Sequence, residues 1–381
     1  MRIAFYAPLK SPDHPNPSGD RHMARLLMRA LEGGGHEVTL ASRFRSREGR
    51  GDAATQAHIE RVGRHIAKTL VQRWQGNDQG RPDLWLTYHL YHKAPDWLGP
   101  AVSAALGIPY VIVEASHAAK QADGPWAGGY HAAISALNQA DAVISLNRND
   151  MAGLEQVVTP VSRVHYLAPF VDCEGAQSLD RQATRTQLAL AQGLATDVPW
   201  LLVVAMMRPG DKTASYGLLA KSLRKVQDQP WRLVVIGDGR ARASVLSALL
   251  TLEHSRLRFL GQLDRDAVAA WTCASDLLVW PAVNEAYGMA LLEAQEAGLP
   301  VVAGAGGGVP DVVADGETGL LTPVGDIDAF ADATRQLLAN PGERLAMSTR
   351  SRQRVHAGHC LTHATNALQQ ILAPLIRGRA P

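Results

Sequence analysis

A regular alternation of short apolar runs with helix-length amphipathic segments, sustained almost from end to end, constrains this chain most. The apolar runs are four to seven residues long, which suits strands buried on both faces of a sheet. In the first half they fall at Ile3–Ala7, Glu37–Ala41, Leu84–Tyr88, Tyr110–Glu114, Ala142–Leu146 and Val164–Leu167. Helical segments lie between them, near Arg21–Leu31, Thr55–Trp74, Trp97–Ala105, Tyr130–Ala140 and Asn149–Val157. Gly33-Gly34-Gly35 signals the end of the first of these. Strands separated by helices predict a parallel sheet covered on both faces.

The pattern restarts after about residue 171. Strands are expected at Trp200–Ala205, Arg232–Ile236, Leu257–Leu260, Leu277–Trp280, Pro300–Ala303 and Gly319–Leu321. Helices are expected near Ser215–Val226, Arg242–Leu250, Arg265–Ala274, Gly288–Ala297, Asp326–Leu338, Gly342–Val355 and Leu361–Ile376. Pro169–Ala195 is polar and irregular and reads as the boundary. At roughly 100–200 residues per domain, 381 residues make two domains. The expected architecture is α/β, two facing Rossmann-like domains over 1–170 and 171–358. A terminal helix over 359–381 is expected to pack back on the first. Ligands of open α/β sheets bind at the carboxyl ends of the strands, so the crevice between two such domains is the expected site.

Composition narrows the function classes. The net charge is +2, from 38 Lys+Arg against 36 Asp+Glu, which predicts no nucleic-acid partner. No stretch approaches the ~20 apolar residues of a membrane span, and the opening apolar run is too short for a signal peptide. Cys173, Cys273 and Cys360 are widely spaced, odd in number and without metal-ligand spacing. They read as free thiols in a reducing compartment, so the expected location is cytoplasmic. Residues 43–68 hold seven Lys/Arg against three acids, and the first helix carries Arg21, Arg25 and Arg29. Such patches are either solvated helix faces or peripheral contacts with an anionic inner membrane leaflet.

The most specific chemistry lies in Pro281–Gly308, PAVNEAYGMALLEAQEAGLPVVAGAGGG. Glu285 and Glu293 are eight positions apart, about 80° apart on one continuous helix and so not on one face. Placing Glu285 on a loop and Glu293 just over one turn into the following helix lets them reach different parts of one ligand. The N–H groups of Tyr287, Gly288 and Met289 would then face an anion such as a diphosphate. Glu293 sits among Ala290, Leu291, Leu292 and Ala294, where a carboxylate needs hydrogen-bond donors, and ribose hydroxyls supply them. On spacing alone, the pair also reads as an N-terminal helix acid followed by a solvent-facing one.

Arg208 and Lys212, after the strand at Trp200–Ala205, suit a diphosphate that gains charge as it leaves. Gly237-Asp238-Gly239 lacks the third glycine of a dinucleotide loop, since position 242 is Arg, which weakens any dehydrogenase reading. Asp264-Arg265-Asp266 has Asp-x-Asp spacing but opens a helix, where Asp is favoured as a cap, so no metal is assigned to it. His89, His92 and His117 follow strands, and their spacing makes no convincing zinc site. Lys93 suits an anionic acceptor.

The motifs Glu285, Glu293, AGLPVVA at Ala297–Ala303, Gly306-Gly307-Gly308-Val309-Pro310 and Asp315–Leu321 together resemble the retaining glycosyltransferases of family 4. The resemblance is detailed over about Trp200–Val355 and looser over the first 170 residues, where Gly35-His36-Glu37-Val38 fits it. It implies a GT-B fold, a nucleoside-diphosphate sugar donor (UDP-sugar favoured) as co-substrate, no cofactor and no required metal. It implies that Glu285 contacts the donor sugar, Glu293 the ribose, and the amides around Ala286, Tyr287, Gly288 and Met289 the sugar and phosphate. Lys212 carries over as the diphosphate cation. The family's usual Arg position is Met207 here, with Arg208 one residue later. By the same resemblance Gly237 and Gly239 flank the nucleotide, Gln262 and Leu263 the base, and His117 the donor sugar. Gly19 stands in the first loop, where the family often has two adjacent glycines. His89, His92 and Lys93 are the acceptor-side candidates.

The implied reaction moves a sugar with retained configuration to a glycan, lipid-linked or small-molecule acceptor by front-face attack, the leaving phosphate helping to take the acceptor's proton. A retaining glycosidase would instead need two carboxylates about 5 Å apart. The alternatives are an epimerase or hydrolase of the same architecture, or a non-catalytic sugar-nucleotide-binding protein. The intact Glu285, Glu293 and Lys212 argue against the last.

Overall fold

The computed structural model describes residues 1–16, 18–76, 80–173 and 179–377, the last two without their side chains from residue 376. Pro17, part of the boundary stretch 174–178, and residues 378–381 of the terminal segment lie outside them. Two compact units are present, Met1–Ala168 with the segment from Leu361, and Pro169–Cys360.

The first unit is a six-stranded sheet in the order β2-β1-β3-β4-β5-β6. Its strands are β1 (Arg2–Tyr6), β2 (Glu37–Ser42), β3 (Leu84–Leu90), β4 (Tyr110–Ala115), β5 (Ala142–Ser145) and β6 (Val164–Tyr166). All pairs are parallel, with Ile3 opposite both Val38 and Leu84. Helices α1 (Gly19–Gly33), α2 (Ala53–Gln75), α3 (Gly99–Leu106), α4 (Ala127–Gln139) and α5 (Arg148–Glu155) make the crossovers. Parallel strands need such connections and become buried on both faces, which is why Tyr110–Val113 of β4 and Ala142–Ile144 of β5 read as apolar runs.

The second unit repeats the plan in the order β12-β11-β10-β7-β8-β9. Its strands are β7 (Trp200–Val204), β8 (Arg232–Ile236), β9 (Leu257–Gly261), β10 (Leu277–Trp280), β11 (Val301–Gly304) and β12 (Gly319–Thr322). Between and after them run α6 (Arg181–Gln192), α7 (Asp211–Arg224), α8 (Arg242–Leu249), α9 (Arg265–Ala274), α10 (Met289–Glu296), α11 (Val309–Val312), α12 (Ile327–Ala339) and α13 (Pro341–Gly358). The last helix, α14 (Leu361–Arg377), belongs to the first unit. There Thr365 Oγ1 donates to the Ala30 carbonyl and Gln369 Nε2 to that of Gly34, and Gly34 has room for no Cβ clear of Gln369.

Three sequence expectations are corrected. The stretch Pro169–Ala195 is not all irregular: α6 runs through it, capped by Asp180, whose side chain accepts from Ala183 N. Its buried face is centred on Arg185 beside Ala189, and Arg185 donates to the carbonyls of Ala274, Thr196 and Val198 and to Asp276, so a stretch of polar composition still packs as a helix. Second, Cys173 and Cys360 are not free thiols but a disulfide, Cα to Cα 5.5 Å. Val171 pairs with Cys360 as a parallel bridge, so the chain's entry into and exit from the second unit lie side by side, a contact across 187 residues that spacing cannot show. Cys273 remains unpaired. Third, His89 does not follow β3 but lies within it, at φ 66°. No helix among the described residues is long and apolar enough to cross a membrane.

Candidate donor and acceptor sites

In the second unit the loop between β10 and α10 carries Glu285 on backbone that is held at several points. Ala282 and Asn284 have left-handed φ values of 54° and 51°. Val283 N donates to the buried Ser215 hydroxyl, and Asn284 Nδ2 to the Asp211 carboxylate, both on α7. From the other side Gly307, at φ 59°, lies so close that a Cβ there would stand 1.8 Å from the Glu285 carbonyl oxygen. Gly308 N donates to the Ala286 carbonyl at 2.7 Å. The glycine run after β11 therefore has a steric role, which is to let two backbones touch.

The Glu285 carboxylate receives the Lys212 ammonium at 2.5 Å and Trp280 Nε1 at 3.1 Å. Lys212 also stands over the Trp280 ring, 5.3 Å from its centroid, and Tyr216 meets that ring edge-on. Lys212 lies in the first turn of α7, where the helix dipole disfavours a cation. The carboxylate offsets that cost, and an incoming diphosphate would do the same. Trp280, Tyr216, Ser215 and Asn284 were not singled out from sequence. Only the position of Trp280 as the last residue of its strand hints at its part.

The structure brings Lys212 and Glu285 together and puts Arg208 on the exposed loop before α7, behind the buried Met207. Gly237 and Gly239 back this loop: a Cβ at either would strike the Ala205 or Met207 carbonyl, at 1.9 and 2.3 Å. Tyr287, Gly288 and Met289 lead buried into α10, and Ala286 is exposed. Glu293 is partly buried on α10, and burial lifts its carboxyl pKa to about 7, against the pull of Arg265 and with a push from Glu296. Arg265 opens α9 directly after Gln262 and Leu263, so the base and ribose candidates share one neighbourhood. Asp264 accepts from Ala267 N as the cap of α9, the role expected for it. A cavity of about 430 Å³ lies at the amino ends of β7 and β10, lined by Arg181, Arg185 and Arg344. Backbone carbonyls and Asp276 occupy guanidinium donors of all three, and the cavity is apart from the Glu285 loop.

In the first unit Gly19 opens α1 after the Ser18 cap, with open space where a Cβ would point. His89 Nδ1 lies 3.3 Å from Asp20 and 3.7 Å from Glu114. Burial works against protonation of His89, but Glu114, Asp20 and Asp150 outweigh it and raise the imidazolium pKa to about 9. Glu114 shares the left-handed backbone of His89, at φ 58°. Paired positive φ values at two strand ends mark a constrained site. His92 and Lys93 lie on the loop beyond β3, beside Trp126. His117 Nε2 is 3.0 Å from the Tyr130 hydroxyl, and the residue is partly exposed beside Gly153 of α5.

The two parallel sheets, each with its polar groups at the carboxyl ends of the strands, define a GT-B α/β protein. Sucrose-phosphate synthase from Thermosynechococcus elongatus superposes with a TM-score of 0.76 at 20% identity, covering 99% of this chain and 100% of that one. Anabaena HepE, solved in complex with UDP-glucose, superposes at 0.73 and 18% identity over 98% of this chain and 99% of its own. These likenesses show the fold. Residues 198–340 match the family model "Glycosyl transferases group 1", and the second unit is a domain of that family.

D-inositol 3-phosphate glycosyltransferase of Xylanimonas cellulosilytica is 30% identical over 224 residues, 56% of this chain and 52% of that protein. N-acetyl-alpha-D-glucosaminyl L-malate synthase of Bacillus anthracis is 26% identical over 221 residues, 58% of this chain and 56% of that protein. The chain thus spans about half the length of these relatives.

Proposed function

We propose that the protein transfers a sugar, with retention of configuration, from a nucleoside-diphosphate sugar to a hydroxyl acceptor. The observation that carries this reading is the Lys212–Glu285 pair on Trp280, fixed by the Gly307 contact inside a group 1 domain. A UDP-sugar is the favoured donor, and HepE, solved in complex with UDP-glucose, supports that choice. The relatives are named for an inositol 3-phosphate and a malate, both small anionic hydroxyl compounds, which favours a small anionic acceptor here.

In this reading Glu285 holds the donor sugar through its hydroxyls and does not attack. Lys212, assisted by Arg208 and the amino end of α10, takes the charge that builds on the departing diphosphate. The acceptor oxygen attacks from the leaving-group face, its proton passing to the leaving phosphate oxygen. Glu293 binds the ribose hydroxyls, Gln262 and Leu263 lie at the base, and His117 stands on the donor-sugar side. The reading routes no step through a metal or cofactor. A cytoplasmic site of action, with peripheral membrane contact as a variant, belongs to the same proposal, although the Cys173–Cys360 disulfide withdraws the thiol argument for it.

The test is thermal shift with UDP-, GDP- and ADP-sugars against their nucleoside diphosphates. One donor should raise the melting temperature selectively, and Glu293→Ala should abolish that rise. No shift with any donor would sink the reading. Release of free sugar or a new epimer without an acceptor would replace it with a hydrolase or epimerase.

A further inference from the structure

Residues 43–50, RFRSREGR, follow β2 as an extended segment and alternate in burial. Ser46 and Glu48 point inward: Ser46 Oγ donates to the Pro95 carbonyl at 2.6 Å and Glu48 N to that of Lys93 at 2.9 Å. The Glu48 carboxylate accepts from the Arg50 and Gly51 amides and from Trp126 Nε1, so its charge is already engaged. Extended backbone turns alternate residues to opposite sides, which leaves Arg43, Arg45 and Arg47 exposed. Arg43 is taken by Asp13. Arg45 donates its Nε to the Leu9 carbonyl at 3.0 Å and Arg47 meets the Tyr91 hydroxyl, but neither has a carboxylate partner among the described residues.

Two further loops from the same sheet edge bring cations to this place. Lys93, beyond β3, lies 4.2 Å above the Trp126 ring. Lys120 stands in the 3-10 turn Ala119–Gln121 beyond β4, and together with Lys93 it depresses the His92 pKa after burial has done so. Tyr91 is half-buried, next to Arg47 and in ring contact with His92, which in turn meets Trp126. Tyr91, His92 and Trp126 thus form an edge-to-face aromatic cluster with Lys93 over one face of Trp126 and the other three cations near it. Burying Ser46 and Glu48 fixes the backbone that carries the arginines, so a ligand has only their side chains to order.

We propose that Arg45, Arg47, Lys93 and Lys120 bind the phosphate of a phosphorylated acceptor whose sugar or polyol ring rests on Tyr91 and Trp126. The step from binding site to acceptor site rests on the transferase reading above, whereas the binding itself does not. Four cations without carboxylate partners match a dianion better than the single charge of a carboxylate, and guanidinium pairs phosphate in two-pronged fashion. Rings of this kind take the apolar face of a sugar, and cations on their rim take its charge.

The experiment is isothermal titration of the full chain with inorganic phosphate, glucose 6-phosphate, gluconate and glucose at physiological salt, with UDP titrated separately. Glucose 6-phosphate should bind at least about tenfold more tightly than gluconate or glucose, and inorganic phosphate should compete with it. Arg45→Gln with Arg47→Gln should remove that preference while melting temperature and UDP binding stay at the parent's values. Lys120→Gln, at an exposed position, should weaken it without touching UDP. Equal binding of gluconate, or full retention in the double variant, would overturn the proposal. Co-sedimentation with phosphatidylglycerol vesicles but no binding of the soluble ester would overturn it in favour of a membrane surface. Loss of UDP binding alone would remove the donor reading and leave the cluster's phosphate site standing.

Discussion

The backbone of Gly307 rests against the carbonyl oxygen of Glu285, with no room for even one carbon between them. The carboxylate that meets Lys212 is thus aimed by a contact from a different crossover, made after β11. Gly307→Ala must move one loop or the other, since the near atom is backbone and the φ of 59° is itself unfavourable for alanine by about 1–3 kcal/mol. The expected outcome is a folded protein whose affinity for a nucleoside-diphosphate sugar falls at least about tenfold, its nucleoside diphosphate being affected less. Titration of both ligands against parent and variant checks this, and equal loss for both would show that the contact does not act through Glu285.

The Lys212–Glu285 pair makes a second prediction, on additivity. Lys212→Met leaves a partly buried carboxylate held by Trp280 alone, and Glu285→Gln leaves a cation at a helix N-terminus. Each single change should cost more stability than the pair changed together, with a coupling of about 1–3 kcal/mol. Denaturant melts of the four proteins measure it. In turnover, Lys212→Met should lose about a hundredfold or more in kcat, because the lost cation faces charge that grows in the transition state. A Glu285→Ala variant with full activity would remove Glu285 from the site.

Much of the fold is legible in sequence for a physical reason. Strands of a parallel sheet are buried on both faces, so the greater parts of β4, β5, β8 and β10 appear as continuous apolar runs and their ends fall close to where the pattern stops. Glu285, Glu293 and Lys212 are legible because their motifs are contiguous. What stays hidden is whatever depends on contacts distant in sequence. The buried face of α6 centres on Arg185, a residue type that reads as solvent-facing in sequence, so the polar composition of the helix masks it. Cys173 and Cys360 meet only because the second unit closes on itself. Asp20, Glu114 and Asp150 come to His89 from a helix, a strand and another helix, and no spacing rule links them.

Glu293 should make donor binding and stability depend on pH in a way that identifies it. Its folded pKa of about 7 lies above the ordinary carboxyl value of 4.5, so the folded chain holds an extra proton between them. Stability therefore falls as pH rises through that window, by at most about 3 kcal/mol. Glu293→Gln should flatten this part of the curve and be the more stable protein at pH 8. A carboxylate that accepts ribose hydroxyls favours the ionised form, so UDP should bind more weakly below pH 7, by up to about tenfold per unit, and release a proton on binding. Calorimetry in two buffers of different ionisation enthalpy reads that proton directly. No proton release, with pH-independent affinity, would place Glu293 away from the ribose.

His89 predicts a slope of the same sign, displaced to higher pH. Burial alone would lower its pKa, yet Glu114, Asp20 and Asp150 raise it from 6.5 to about 9. A raised histidine contributes its full stabilisation below the unfolded value and loses it as pH climbs through the folded one. Stability of the first unit should accordingly hold to about pH 6.5 and decline up to about pH 9, by about 3 kcal/mol at most. His89→Gln keeps a polar group but no charge, and leaves three carboxylates facing one another. It should lose most of that stability at pH 7 and little at pH 10, so the two curves converge at high pH. Denaturant melts across this range and an NMR titration of the imidazole test both halves. Curves that stay parallel would show that the carboxylates do not hold a charged His89, and an imidazole midpoint near 6.5 would show the same.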